Sequence, residues 1–447
     1  MRINTLALLV SACFPAALMA SPQANSVDEK IARLEASLAK AEAQIALLQQ
    51  NQPAPTVSVE TVAPATTPAA KLTLSGYGDL RFYGDVEFNM DAASRSGSLT
   101  SMRTSANKDW APSNNERWDI NGRLLLGFDG YRRMDNGQFA GFSVQPLADV
   151  NGKMNLDDAA FFFGQESDWK IKIGRFEAYD MFPLNQDTFV EYSGNTANDL
   201  YSDGYGYIYM LKEGRGRSDS GGNVLLSKNL DNWYVEVNTL LENGSSLFVD
   251  KQYHGVSLNN DKNVAYVRPV IAWSSGRFST ALAMESNLVN NAYGYRDASG
   301  QWVDQSGRTG YGLTMSWNGQ KTDPNNGVVL NLNTAYMDAS DETDFTAGLN
   351  ALWKNVELGY IYAHNEIEKF NAAGLDGDCD NDCWIRDPGD YDIHTLHASY
   401  LIPDVMKMNN FNIYLGAYAS WIDAHPNDGQ GDTDSRYGGR VRVKYFF

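Results

Sequence analysis

The sequence predicts an all-β transmembrane antiparallel β-barrel of 18 strands, with 16 as the alternative, preceded by a short periplasmic coiled-coil helix. Three observations carry this. From Lys71 onward apolar and polar residues alternate with the period of a strand. In the last such segment, Val441, Val443, Tyr445 and Phe447 share one face and Arg440, Arg442 and Lys444 the other. Three like charges on one face are costly in a sandwich core but natural in a water-filled lumen backed by lipid. The chain is also rich in strand-forming and interface residues, with 24 Tyr, 19 Phe and 10 Trp.

Composition narrows the function classes. With 55 acids against 36 bases and a net charge of −19, binding to nucleic acid by phosphate neutralisation is not expected. Beyond Ala20 no apolar run is long enough to cross a bilayer as a helix.

The N-terminus reads as an address. Arg2, the apolar stretch around Leu6 to Met19 and the small residue Ala20 describe a secretory signal peptide over 1–20. Residues 26–50 follow as a periplasmic coiled coil. Ser26-x-x-Glu29 is a capping box, and Ile31, Leu34, Leu38, Ala41, Ile45 and Leu48 recur at heptad spacing. A lone helix of this length is marginal, so the seam predicts self-association. Residues 51–70, with Pro53, Pro55, Pro64 and Pro68, form a stiff linker, and 71–447 is the barrel.

Within the barrel region the pattern gives strands from 72–84 and 117–130 through to 411–422 and 436–447, including one over 204–212. In 117–130, Trp118, Ile120, Leu124, Leu126 and Phe128 alternate with Arg117, Asp119, Asn121, Arg123 and Asp129. Short turns such as Leu230-Asp231-Asn232 alternate with long loops such as 242–263, 290–308 and 364–390. Both ends on the periplasmic side require an even strand number, which Asp187 to Tyr192 completes at 18. Sixteen follows if 177–203 is one folded loop and another weak strand is lost. At either size the interior is an aqueous channel.

The segment from Arg175 to Asp187 is the candidate constriction, because it follows a strand directly and mixes acids with aromatics around Pro183. Sugars suit that mixture: pyranose C–H faces stack on rings, and hydroxyls need donors and acceptors. The candidate polar groups are Arg81, Arg117, Asp119, Arg123, Arg175, Glu177, Asp180, Arg268, Glu285, Arg440 and Arg442. The candidate rings are Tyr77, Tyr83, Phe176, Tyr179 and Phe182, with Trp110, Trp384 and Trp421 beside them. For each aromatic, a place in the girdle at the membrane interface is the competing reading.

Cys379 and Cys383 read as a disulfide in a solvated extracellular loop. The alternating acids around them suggest a calcium loop, but the central Gly and closing Glu of that motif are missing. His394 and His397 fall on opposite faces of one strand, and no nucleophile elbow or phosphate loop is present. No metal, cofactor or enzymatic activity is expected.

The opening Leu72-Thr73-Leu74-Ser75-Gly76-Tyr77-Gly78-Asp79-Leu80-Arg81 resembles the outer-membrane carbohydrate porins. Trp169-Lys170-Ile171-Lys172-Ile173-Gly174-Arg175-Phe176-Glu177 with Asp180-Met181-Phe182-Pro183 is similar to the raffinose-porin type of glycoporin. The N-terminal coil is similar to that of the sucrose porin, and the final Phe447 resembles the signal read by the outer-membrane assembly machinery. This resemblance implies a homotrimer in the Gram-negative outer membrane, passing di- and oligosaccharides passively, with lipid and the sugar as its partners. An anion- or dicarboxylate-selective channel, or a general diffusion porin, is the alternative.

Overall fold

The computed structural model describes residues 71–74, 78–96, 116–186, 208–217, 220–248, 251–253, 256–368, 388–427 and 431–447. The signal peptide, coil and linker expected over 1–70 lie outside them. So do Tyr77, Trp110, Trp384 and the Cys379–Cys383 pair.

Sixteen strands close into one barrel. They are β1 (Gly78–Ser96), β2 (Glu116–Arg133), β3 (Gln138–Asp149), β4 (Met154–Gln165), β5 (Trp169–Arg175), β6 (Gly222–Leu230), β7 (Trp233–Asn243) and β8 (Asn263–Ser275). They continue as β9 (Phe278–Asn287), β10 (Thr309–Asn318), β11 (Val328–Asp338), β12 (Glu342–Trp353), β13 (Val356–Ile367), β14 (Gly389–Ile402), β15 (Phe411–Pro426) and β16 (Asp432–Phe446). Each pairs antiparallel with its sequence neighbour. Asp85↔Phe446 through Ser96↔Ser435 close the barrel between β1 and β16. Closure leaves no strand edge, as a lipid-embedded sheet requires.

The strand alternation runs as the sequence predicts. Trp118, Ile120, Leu124, Leu126 and Phe128 point outward and are exposed, while Leu125 and Gly127 between them are buried. Short turns at one rim (134–137, 231–232, 276–277, 354–355) alternate with long connections at the other (97–115, 176–221, 244–262, 288–308, 368–388). By the usual asymmetry of such barrels the short-turn rim is periplasmic.

The closed barrel has the alternative number, 16; of the two further strands expected, 204–212 is described only from 208, and 187–192 lies outside the described residues. Ile208, Tyr209, Met210 and Leu211 are all buried in succession, so the described part of 204–212 has no two-faced pattern to pair in a wall. Leu211 also sits at φ 57, a left-handed conformation that ends any extended run. The described part of 177–203, residues 177–186, contains no strand. The first strand also differs. Lys71–Leu74 pairs antiparallel with the start of β1, Leu74 opposite Gly78, so 72–84 is not one continuous strand.

Candidate functional site: the lumen and its inner loop

The connection between β5 and β6 turns into the barrel, and polar groups on the inner wall fasten it there. Buried backbone N–H groups need partners. Here carboxylates from three strands supply them. Glu236 on β7 accepts from the Tyr179 amide at 3.0 Å and from the Tyr234 hydroxyl at 2.6 Å. Glu285 on β9 accepts from the Gly214 amide at 2.9 Å, the Glu213 amide at 3.2 Å and the Tyr209 hydroxyl at 2.7 Å. Glu357 on β13 accepts from the amides of Asn185 (3.2 Å) and Gln186. Asn331 and Asn350, on β11 and β12, each donate to the Pro183 carbonyl at 3.3 Å. The described residues of the loop thus span the inner wall from β7 to β13.

The loop has its own ion pairs. Arg215 meets Glu177 at 3.1 Å and Asp180 at 3.4 Å. Burial pushes both carboxyls up, but Arg215 and Arg217 together outweigh it at Glu177, and Arg215, the Phe182 amide, Lys212 and Arg268 together outweigh it at Asp180. Both end below their ordinary values and stay ionised at neutral pH. Burial pushes the Tyr179 hydroxyl up to about 12, so it remains a neutral donor. Arg217 spans Asp158 (2.9 Å), Asp157 (3.2 Å) and Glu177 (3.6 Å), tying the loop to β4. Glu213 binds Arg308 at 2.8 Å.

The closing seam of the barrel carries a ladder of ion pairs. Arg440 grips Asp91 with two bonds of 2.6 and 2.7 Å. Arg442 donates to Asn89 at 2.8 Å and lies 3.3 Å from Glu87, which Lys444 reaches at 3.0 Å. Arg123 lies 3.4 Å from Asp85. Asn121 donates to Asp91 at 3.0 Å and Asp119 at 3.2 Å. The basic face read from β16 therefore meets two acids on β1, Asp91 under Arg440 and Glu87 shared by Arg442 and Lys444, with Asn89 between them.

The sequence-predicted residues separate into three groups. Arg81, Tyr83, Asp119, Arg123, Arg440 and Arg442 share the inward face of β1, β2 and β16, and the Arg81 guanidinium lies 4.9 Å over the Tyr83 ring. Glu177, Tyr179 and Asp180 lie on the inner loop, with Tyr179 stacked on Tyr234 at 6.0 Å.

The others take different places. Phe176 and Phe182 are 0% and 4% exposed, which leaves their rings no face for solute. Arg268 and Glu285 are 0% and 1% exposed beneath the loop, 3.5 Å apart, and act as its anchors. Arg175 follows outward-facing Ile173 by two residues and donates from Nε to the Leu156 and Asp157 carbonyls. Trp421 lies outside the lumen, stacked on His394 at 5.2 Å. The backbone of Arg117 pairs in β2, while its side chain and Tyr77 lie outside the described residues.

Asp85, Glu87 and Asp91 lie beyond the first strand that the sequence predicts, 72–84, on the part of β1 that continues to Ser96. They alternate with Val86, Phe88 and Met90, which is the signal that finds them. Glu236 and Glu357 each sit between two apolar neighbours, and each strand carries a second acid, Glu242 or Glu366, so no local pattern marks them as loop anchors.

Comparison with known proteins agrees with this architecture. The family model of the porin-like glycoporin RafY matches residues 82–447. Salmonella typhi OmpF, solved in complex with daunomycin, is similar in fold. At 11% identity the match covers 84% of this chain and 100% of that one, with a TM-score of 0.51. The outer-membrane channel DcaP of Acinetobacter baumannii matches at 12% identity over 84% of this chain and 99% of its own, with a TM-score of 0.49. Pseudomonas putida OprB matches at 11% identity over 81% and 94%, with a TM-score of 0.48. None of the curated proteins matches the chain.

Proposed function

The chain belongs to the porin-like glycoporin RafY family and is an outer-membrane porin for passive diffusion; on that premise we propose that it prefers neutral di- and oligosaccharides. One observation carries the preference. Arg440, Arg442 and Lys444 each meet an acid or amide on β1, so the wall presents paired dipoles to the water. Such a wall offers donors and acceptors for hydroxyls and little net field for a dianion. The inner loop narrows the path, and weak contacts at several points allow both entry and exit. No bond is made or broken, so the protein is a channel and not an enzyme.

The protein works as a homotrimer in this reading. β5 has seven residues and β6 nine, against 19 in β1. At ~3.3 Å per residue and ~45° tilt, seven residues rise about 16 Å, short of the ~25 Å apolar band. On the strands leading to this low stretch of wall, Trp118 on β2 and Met154 on the adjoining β4 are 78% and 75% exposed. A neighbouring copy of the same chain would cover both.

Swelling of proteoliposomes in isosmotic sucrose, raffinose or sodium succinate tests the preference. Faster entry of the sugars than of succinate supports it, and faster succinate entry selects the anion channel. Migration as a heat-labile trimer on gels is expected, and a monomer in every detergent would refute the assembly.

A further inference from the structure

A water-filled barrel ordinarily turns polar side chains inward. The inward face of β2 to β4 departs from this near the short-turn rim. Tyr131, Phe139 and Phe162 are all half-buried there, on the same side of the wall as Asp129 and Ser143. Tyr131 and Phe139 are nearly parallel, at 5.6 Å and 26°. Phe139 meets Phe162 at 6.3 Å.

A glycine lets one of these rings lie against the wall. A Cβ at Gly141 would fall 2.6 Å from the Phe162 ring. The Cε2 and Cζ atoms of Phe162 therefore lie against bare backbone, and the half-buried ring stands on the lumen side of the wall. The same device recurs one strand back, where a Cβ at Gly127 would fall 2.3 Å from the Tyr83 ring. Tyr83 bounds the group on its far side from the rim. Its hydroxyl donates to Asp129 at 3.1 Å and accepts from Gln145 at 2.7 Å, and Arg81 lies over its ring. The described residues of the inner loop are fastened to β7 through β13 and, through Arg217, to Asp157 and Asp158 at the other end of β4 from its short-turn rim.

We propose that Tyr131, Phe139 and Phe162 form a saccharide-stacking shelf on the lumen wall near the periplasmic rim. Flat, half-exposed rings in water retain unsatisfied apolar area. The C–H face of a pyranose covers such a ring and leaves its hydroxyls outward. Arg81 and Asp129 stand at the upper edge as donor and acceptor for those hydroxyls. The shelf would be the last contact before release, placed on the wall and not on the constricting loop. This inference rests on the sugar preference proposed above.

The test is sugar block of ion current through the full protein in planar bilayers, with maltose and sucrose added from either side. Wild type is compared with Phe139→Leu and Phe162→Leu, which keep apolar bulk, and with Phe139→Tyr and Phe162→Tyr, which keep a ring. We expect the Leu variants to weaken block about three- to tenfold each, at unchanged unit conductance in sugar-free buffer. The Tyr variants should keep it. Wild-type block with both Leu variants unchanged would overturn the shelf and leave the sugar preference standing. Loss of block in the Tyr variants, at normal conductance, would also overturn the shelf. A wild-type channel that no sugar blocks would overturn both.

Discussion

Arg440 and Asp91, 349 residues apart in sequence, form a two-pronged ion pair at 2.6 and 2.7 Å across the seam that closes the barrel. The pair ties the last strand to the first and neutralises an arginine on the lumen wall. Asp91 is 5% exposed, so its partner is hard for water to replace. In Asp91→Asn, Arg440 should lose this carboxylate and its negative charge. The reversal potential in a salt gradient should move toward anion selectivity, and the barrel should lose roughly 1.5–3 kcal/mol of stability. An unchanged reversal potential would show that the seam does not set the field.

Glu357 holds the turn of the inner loop through the amides of Asn185 and Gln186. Glu357→Ala removes the acceptor and leaves these amides unpaired. We expect larger unit conductance and noisier open-channel current, with the barrel still migrating as a folded species on gels. A quiet channel of normal conductance would mean that the loop is held without this residue.

Phe182 tests burial against stacking. Its ring is 4% exposed. Phe182→Ala should act as a core truncation, at about 3–5 kcal/mol, spent on loosening the loop. Conductance should therefore rise, while sugar block changes only as far as the pore widens. A selective loss of block at constant conductance would return Phe182 to the solute path.

The pH dependence follows from Glu177 and Asp180, both held below their ordinary values of 4.5 and 3.8. For each, burial raises the pKa, and the surrounding cations, Arg215 foremost, outweigh it together with the Phe182 amide at Asp180. Groups with depressed values stabilise the fold above their unfolded pKa and lose that contribution as pH falls through the folded one. Conductance should thus be steady from pH 8 to about 5, and loop noise should appear only below about pH 4. Onset near pH 6 would contradict the assignment.

Much of the fold was legible because membrane strands must alternate. In β16 and β2 the lipid and lumen faces could be read directly, and the structure keeps them. The strand number was less legible. Tyr205-Gly206-Tyr207-Ile208-Tyr209-Met210 carries strand-like aromatics, yet its described residues are buried on all sides in the lumen. Period two cannot separate a wall from a segment packed inside it.

The same limit governed the site. Arg268 and Glu285 have lumen parity, as read, but parity does not show that a loop lies over them. Asp91 was missed because β1 extends twelve residues past its expected end at 84, a boundary that local pattern fixes poorly.

The central claim, that a charge-compensated lumen favours neutral sugars, is tested most directly by ion current through the purified protein in a planar bilayer, titrated with maltose, sucrose, raffinose and succinate. Saturable block by at least one sugar, with weak ion selectivity and no block by succinate, is the predicted result. Block by succinate with strong anion selectivity, and none by any sugar, would contradict it.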